Sequence, residues 1–221
     1  MSLSPELLAH IVPARRLEQR QGYRSTGVAP LDEILGGGWP RAALAELRGR
    51  RSSGRTAVLY ASLARSIAAG QAVALVDCGG SLDPRLAHAA GVELSHLLWI
   101  RSDCAQALKA ADLVVGAGGF DLVALDVGDE RPRVPSAAWI RLKHSAERQG
   151  TTILVVTAAS LVGAFASTTV ELSAASPQFE CPLLLTGMRS QATRVRGKHD
   201  FSRELSGGGS TCAWLAFSHH D

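Results

Sequence analysis

Apolar residues in this chain follow two rhythms that alternate from one segment to the next. The runs AVALVD (72–77), DLVALD (121–126) and TTILVVTAAS (151–160) are apolar over most of their length, which predicts strands buried on both faces of a parallel sheet. Between them, residues 84–90, 105–114 and 136–149 repeat apolar positions at helical spacing. Strands and helices in this order predict an α/β, doubly wound fold, a mainly parallel sheet flanked by helices. From Thr168 onward the segments TTVELS, PLLLTGM and CAWLAF read as shorter strands added antiparallel at one sheet edge.

The front of the chain follows the same logic. Residues 4–20 read as an amphipathic helix carrying Leu7, Leu8 and Ile11 and interrupted by Pro13. It would lie on the core or serve as a docking segment. STGVAPLDEILGGGWPRAALAEL then predicts a short helix (31–35), a turn at 37–40 and a strand (43–47). That strand runs straight into GRRSSGRT (49–56), and TAVLYASLARSIAAG continues as a helix through Val58, Leu59, Leu63 and Ile67.

A glycine-bearing loop between strand and helix is where backbone N–H groups can curl around phosphate oxygens, with a lysine reaching the outer phosphates and a hydroxyl on magnesium. Gly49, Ser52, Ser53, Gly54 and Thr56 match that loop, but Arg55 stands at the lysine position. A planar guanidinium cannot take the place of a compact ammonium without moving its stem or the phosphates. Binding would survive this change better than chemistry. Asp126, at the end of DLVALD, is placed to orient a magnesium water. Thr56 and Asp126 are therefore the candidate metal residues.

Composition narrows the picture. With 221 residues, 46% hydrophobic and 19% charged, the chain suits one well-cored domain: an N-terminal helical segment (1–24), then a single core domain (25–221). The formal charge of +3 comes from scattered arginines and does not by itself demonstrate nucleic-acid binding. Cys78, Cys104, Cys181 and Cys212 form no CxxC pair, so neither a zinc site nor a disulfide framework is suggested and a reducing cytoplasm fits. No stretch has the length and apolarity of a signal peptide or a membrane span.

Over roughly residues 25–130 the chain resembles the ATPase core of the RecA recombinase family. The segment beginning STGVAPLDEIL resembles the family's entry into the first core strand, GRRSSGRT falls on its phosphate loop, and ALVDCGGSLDPRLAHAAGVELSHLLWIR on the following strand and helix. The resemblance implies ATP with Mg2+ as cofactor, adenine contact at Asp83, and a magnesium-orienting role for Asp126.

The departures from the family carry as much meaning. Its water-activating glutamate corresponds to Gly79, its adenine-stacking aromatic to Leu86, and its Asn-Gln sensor pair to Ala158-Ala159. A positioned general base contributes about 10²–10⁴ in rate, so at most a weak ATPase is expected, with no catalytic residue assigned. The two DNA-binding loops are cut to GDERPRVPS (128–136) and to residues 161–164, no self-assembly strand is evident before Ser25, and no C-terminal domain is expected.

Shortened RecA-like chains with a worn nucleotide site resemble the ImuA-type accessory proteins of inducible bacterial translesion synthesis. That resemblance implies a cytoplasmic protein of the DNA-damage (SOS) response, binding RecA and a Y-family polymerase homologue (ImuB-type), with weak DNA contact at most. Two other readings stand beside it. One is an active RecA-like ATPase in which Asp77 or Asp129 replaces the glutamate; the other is a DNA-binding module. A division inhibitor of the SulA type fits less well because Gly49, Gly54 and Thr56 persist.

Arg189, Arg194, Arg196, Lys198 and Arg203 cluster in the C-terminal sequence as a candidate partner or DNA surface, or a solvated edge. Few aromatics accompany them, which disfavours base stacking. Trp39 and Trp139 are expected in the core or an interface. His219-His220 suits a tail better than a metal site. Ser52 and Ser53, without a placed histidine and acid, do not suggest nucleophilic catalysis.

Overall fold

The structure is a computed structural model describing residues 22–180, 184–197 and 212–218. The expected helix at 4–20, Lys198, Arg203 and the terminal histidines lie outside the described residues.

Among the described residues ten strands and five α-helices follow in order. They are β1 (Tyr23–Arg24), α1 (Ala29–Leu35), β2 (Trp39–Pro40), β3 (Leu44–Gly49), α2 (Arg55–Ala68), β4 (Val73–Asp77), α3 (Pro84–Ala89), β5 (Leu97–Arg101), α4 (Cys104–Ala117), β6 (Leu122–Gly128), α5 (Ser136–Gln149), β7 (Thr152–Thr157), β8 (Thr168–Glu180), β9 (Leu184–Arg196) and β10 (Cys212–Ser218). The main sheet has the order β10-β9-β8-β3-β7-β6-β4-β5. From β8 to β5 neighbours are parallel, and β9 and β10 are antiparallel.

Both faces of the central strands are covered, which is why the runs are continuously apolar. Along β4, Val73 and Leu75 pack with α1, α2 and α3, and Ala74 and Val76 pack with α4 and α5. β6 divides likewise, Leu122 and Ala124 to the first face, Val123 and Leu125 to the second. Trp39 and Trp139 are both buried, one in each layer, and Trp39 Nε1 donates to Ser62 Oγ at 3.0 Å.

The structure corrects three expectations. TTVELS opens β8, which is parallel to β3 over Ala45↔Thr168 to Gly49↔Leu172; in the main sheet the antiparallel additions are β9 and β10. β8 and β9 are also long, 13 residues each. Short apolar patches cannot reveal arms that extend beyond the core, where polar residues suffice. Strand β5, LLWIR, lay unremarked within a longer matched segment, and it forms the edge beside β4. Its residues are half-buried or exposed, so it lacks the unbroken apolar signature. The Trp39-Pro40 turn is a two-residue strand paired with β1.

Between β7 and β8 the chain crosses back in ten residues, pinned by a buried acid. Glu46 on β3 is 0% exposed. Its Oε1 accepts from Leu161 N at 2.7 Å and Val162 N at 2.9 Å, and Oε2 from Thr169 Oγ1 at 3.4 Å. These bonds satisfy N–H groups that no strand or helix serves.

Candidate functional site

The candidate site lies at the carboxyl ends of β3, β4 and β6, where ligands bind in open parallel sheets. β3 ends at Gly49, and the loop 50–54 turns into the 14-residue α2. Gly54 caps α2 in the left-handed region (φ 89) and no side chain caps it, so the first N–H groups of α2 face the loop. A Cβ at Gly49 would collide with Ser53 Oγ. Glycine here lets the loop close on itself. Ser53 is buried and its Oγ has no hydrogen-bond partner. A buried hydroxyl left unsatisfied beside a phosphate loop suits an anion's oxygen, whereas Ser52 and Thr56 are exposed.

Arg55 spans the loop rather than reaching beyond it. Its Nη1 donates to Gly49 O at 2.7 Å, and Nη2 pairs with Asp129 Oδ1 at 2.8 Å. Asp129 also accepts from Arg51 Nε. Hydrogen bonds from Arg55 and then Arg51 hold the Asp129 carboxyl below its ordinary range. The loop's cations are thus already matched by a protein anion. A nucleotide's phosphates would have to displace Asp129 to gain both arginines.

Beside the loop, Asp77 ends β4 and stands in direct register with Asp126, near the end of β6. Ser81 Oγ donates to Asp126 Oδ2 at 2.7 Å and lies 3.2 Å from Asp77 Oδ1. Burial acts to raise Asp77, but bonds from Ser81 N, Leu82 N and Trp99 Nε1 prevail, and its pKa is lowered. Burial prevails at Asp126, raising its pKa despite bonds from Ser81 and Gly128 N and the field of Arg55. A hydroxyl has one proton, so Ser81 serves both carboxyls best when Asp126 is protonated. Thr56 and Asp126 could share a magnesium ion with phosphates. Among the described residues no three His, Cys, Asp or Glu side chains form a metal cluster.

Asp126→Asn is accordingly expected to stabilise the fold at neutral pH. The native pKa of Asp126 lies above the unfolded value of 3.8, so ionisation costs stability above the native pKa. The cost fades as pH falls through the native pKa and is gone below the unfolded one. A gain of about 1–4 °C in Tm at pH 7, shrinking on acidification, is the outcome; thermal melts from pH 7 to pH 4 measure it, and a gain that grows on acidification contradicts it.

Asp83 N-caps α3, accepting from Arg85 N at 2.8 Å and Leu86 N at 3.2 Å, and its own N–H donates to Tyr60 Oη at 3.2 Å. Leu86 is 50% exposed, an apolar wall without a ring face. On the loop's other flank, Ala158 and Ala159 line a cavity of about 700 Å³ with Arg48, Gly49 and Arg51. They offer methyl groups where the resemblance implied amides. Of the C-terminal cations, Arg194 and Arg196 are not brought to this site. Arg189 lies five residues from Arg194 on β9, about 17 Å in an extended strand, so the sequence cluster spreads along the sheet. Arg194 and Arg196 reach the opposite end. Sequence reasoning missed Ser81, Tyr60 and the pairing of Asp129 with Arg55, for which residues 74 apart give no local signal.

Residues 14–137 match the family model of the RecA N-terminal domain. The chain is 34% identical over 161 residues to Protein RecA of Rubrobacter xylanophilus, covering 64% of this chain and 47% of that protein. Protein RecA of Francisella tularensis subsp. novicida is 37% identical over 103 residues, covering 46% and 29%. The chain thus spans about half the length, or less, of these relatives. In fold it is similar to the RadB recombinase, with a TM-score of 0.64 at 18% identity over 86% of this chain and 94% of that one. Among the described residues no helix is long and apolar enough to cross a membrane.

Proposed function

The chain belongs to the RecA family, and on that premise we propose that it is an ImuA-type accessory protein of the bacterial DNA-damage (SOS) response. It supports error-prone translesion synthesis in the cytoplasm by binding RecA and a mutagenic polymerase complex containing a Y-family homologue. Its nucleotide site is degenerate, holding ATP with Mg2+ weakly and turning it over slowly at most.

The observation that carries this reading is the closure of Arg55 across the phosphate loop onto Gly49 O and Asp129. Gly79, where the family's glutamate would stand, supports it, as do Ala158 and Ala159. Were ATP bound, it would be held by the N–H groups of residues 49–56, Ser53 and Arg55, with Mg2+ at Thr56 and Asp126 and adenine near Asp83 and Leu86. The bound nucleotide would supply a phosphoanhydride, and among the described residues neither Asp77 nor Asp129 stands free to activate water. Asp77 is committed to Ser81, Leu82 and Trp99, and Asp129 to two arginines. The active-ATPase reading lacks a free base for this reason.

Steady-state ATP turnover near the uncatalysed background, with or without single-stranded DNA, is the expected outcome. Robust turnover abolished by Thr56→Ala or Asp126→Ala would sink the proposal, as would failure to capture either RecA or the polymerase homologue in a pull-down. Asp129→Ala releases Arg51 Nε and Arg55 Nη2 while Arg55 Nη1 stays on Gly49 O, and each pair is worth a fraction of a kcal/mol. Binding of a fluorescent ATP analogue should tighten by about 2- to 30-fold; unchanged affinity would show that Asp129 does not compete with phosphate.

A further inference from the structure

A cavity of about 620 Å³ opens at the amino ends of the parallel strands, away from the phosphate loop. Leu44 at the start of β3 lines it, and Gly49 at the end of β3 begins the loop, about 17 Å away along the strand. Segments distant in sequence meet there: Gly22 and the β2–β3 connection, α5, the β7–β8 crossover and the end of β9.

Its chemistry is divided. Arg41, Lys143, Arg194 and Arg196 bring four cations against one carboxylate, Glu147. Among the described residues that line it, cations exceed acids by three. Concave, low-dielectric walls focus such a field. Arg196 Nη1 donates to Gly163 O at 3.1 Å, which orients a group possessing five N–H donors. The Arg41 stem lies against Gly22, where a Cβ would come within 3.3 Å of Arg41 Cδ. Between the cations the lining is apolar, with Pro40, Leu44, Phe165 and neighbouring alanines.

We propose that this cavity is a docking site for a short acidic segment of a protein partner, one carrying an apolar side chain among its carboxylates. Arginine forks and a lysine match carboxylates, while Pro40 and Phe165 accept an aliphatic or aromatic side chain. A phosphodiester strand would satisfy the cations, and its bases would find Tyr23 and Phe165 to stack on, but Pro40 and the alanines suit an aliphatic side chain better. The inference rests on the partner-binding reading above and names the chemistry of one contact. A pull-down that succeeds while the cavity variants change nothing would leave that reading intact and remove this one.

The test is to pan displayed random peptides on the full chain and measure the selected peptide by fluorescence anisotropy. Selected sequences should be rich in Asp and Glu with an interspersed Leu, Phe or Trp. Lys143→Glu and Arg41→Glu should each weaken binding about tenfold or more, with unchanged Tm, and Arg51→Glu at the other end of the sheet should leave it unaltered. Arg41 is exposed, so its variant guards against a folding artefact. Selection without acidic enrichment, or affinity indifferent to both cavity variants, overturns the proposal. So does a dT20 oligonucleotide that binds through Lys143 and Arg41 while acidic peptides do not.

Discussion

The double substitution Arg55→Lys with Gly79→Glu is expected to hydrolyse ATP about 10²–10⁴ times faster than Arg55→Lys alone, the range a positioned general base contributes. Gly79 lies two residues beyond Asp77, and a Cβ built there meets nothing within 4 Å, so glutamate can be added without displacing a neighbour. Lysine at 55 cannot reproduce the fork that joins Gly49 O to Asp129. It should open the loop and improve nucleotide affinity without conferring chemistry. Steady-state phosphate release separates the two effects, and Thr56→Ala in the double variant is the control for turnover at this site. If the double variant is no faster than Arg55→Lys, loss of the glutamate is not what silences the site.

The second large effect concerns stability. Glu46→Ala removes the acceptor for Leu161 N and Val162 N and leaves two donors unserved inside the protein. Each orphaned group costs about 1–3 kcal/mol, so the loss should be about 2–6 kcal/mol and the drop in Tm roughly 5–20 °C. Glu46→Gln keeps an amide oxygen that can accept from both N–H groups, and it should cost much less. The ordering of the three melting temperatures is the measurement. Equal destabilisation by alanine and glutamine would show that charge, rather than the accepted bonds, fixes the crossover.

Glu46 also marks where reading the sequence stops. ALAEL is a strand by its apolar residues, and a glutamate within it has no visible task until a crossover 115 residues later brings two N–H groups to it. The phosphate loop is the opposite case. Gly49, Gly54 and the strand–loop–helix order are local features, set by backbone freedom and by apolar rhythm on either side, so they were legible. That the loop is bridged by its own arginine was not legible, because the anion that holds Arg55 comes from beyond β6.

The same division runs through the whole molecule. The apolar runs and helical periods determined an α/β fold with strands buried on both faces, since burial is written residue by residue into hydrophobicity. Edge strand β5 and the outer lengths of β8 and β9 escaped, because half-exposed strands need no apolar rhythm. Arginines gathered in one stretch of sequence were drawn apart by the extended backbone of β9, and two of them met Arg41 and Lys143 around a cavity that no contiguous segment encodes. Charge acts through space, whereas sequence records only neighbours along the chain. The identity of each cation could therefore be read in advance, but its partners and the field it joins came from the folding of distant segments onto one another.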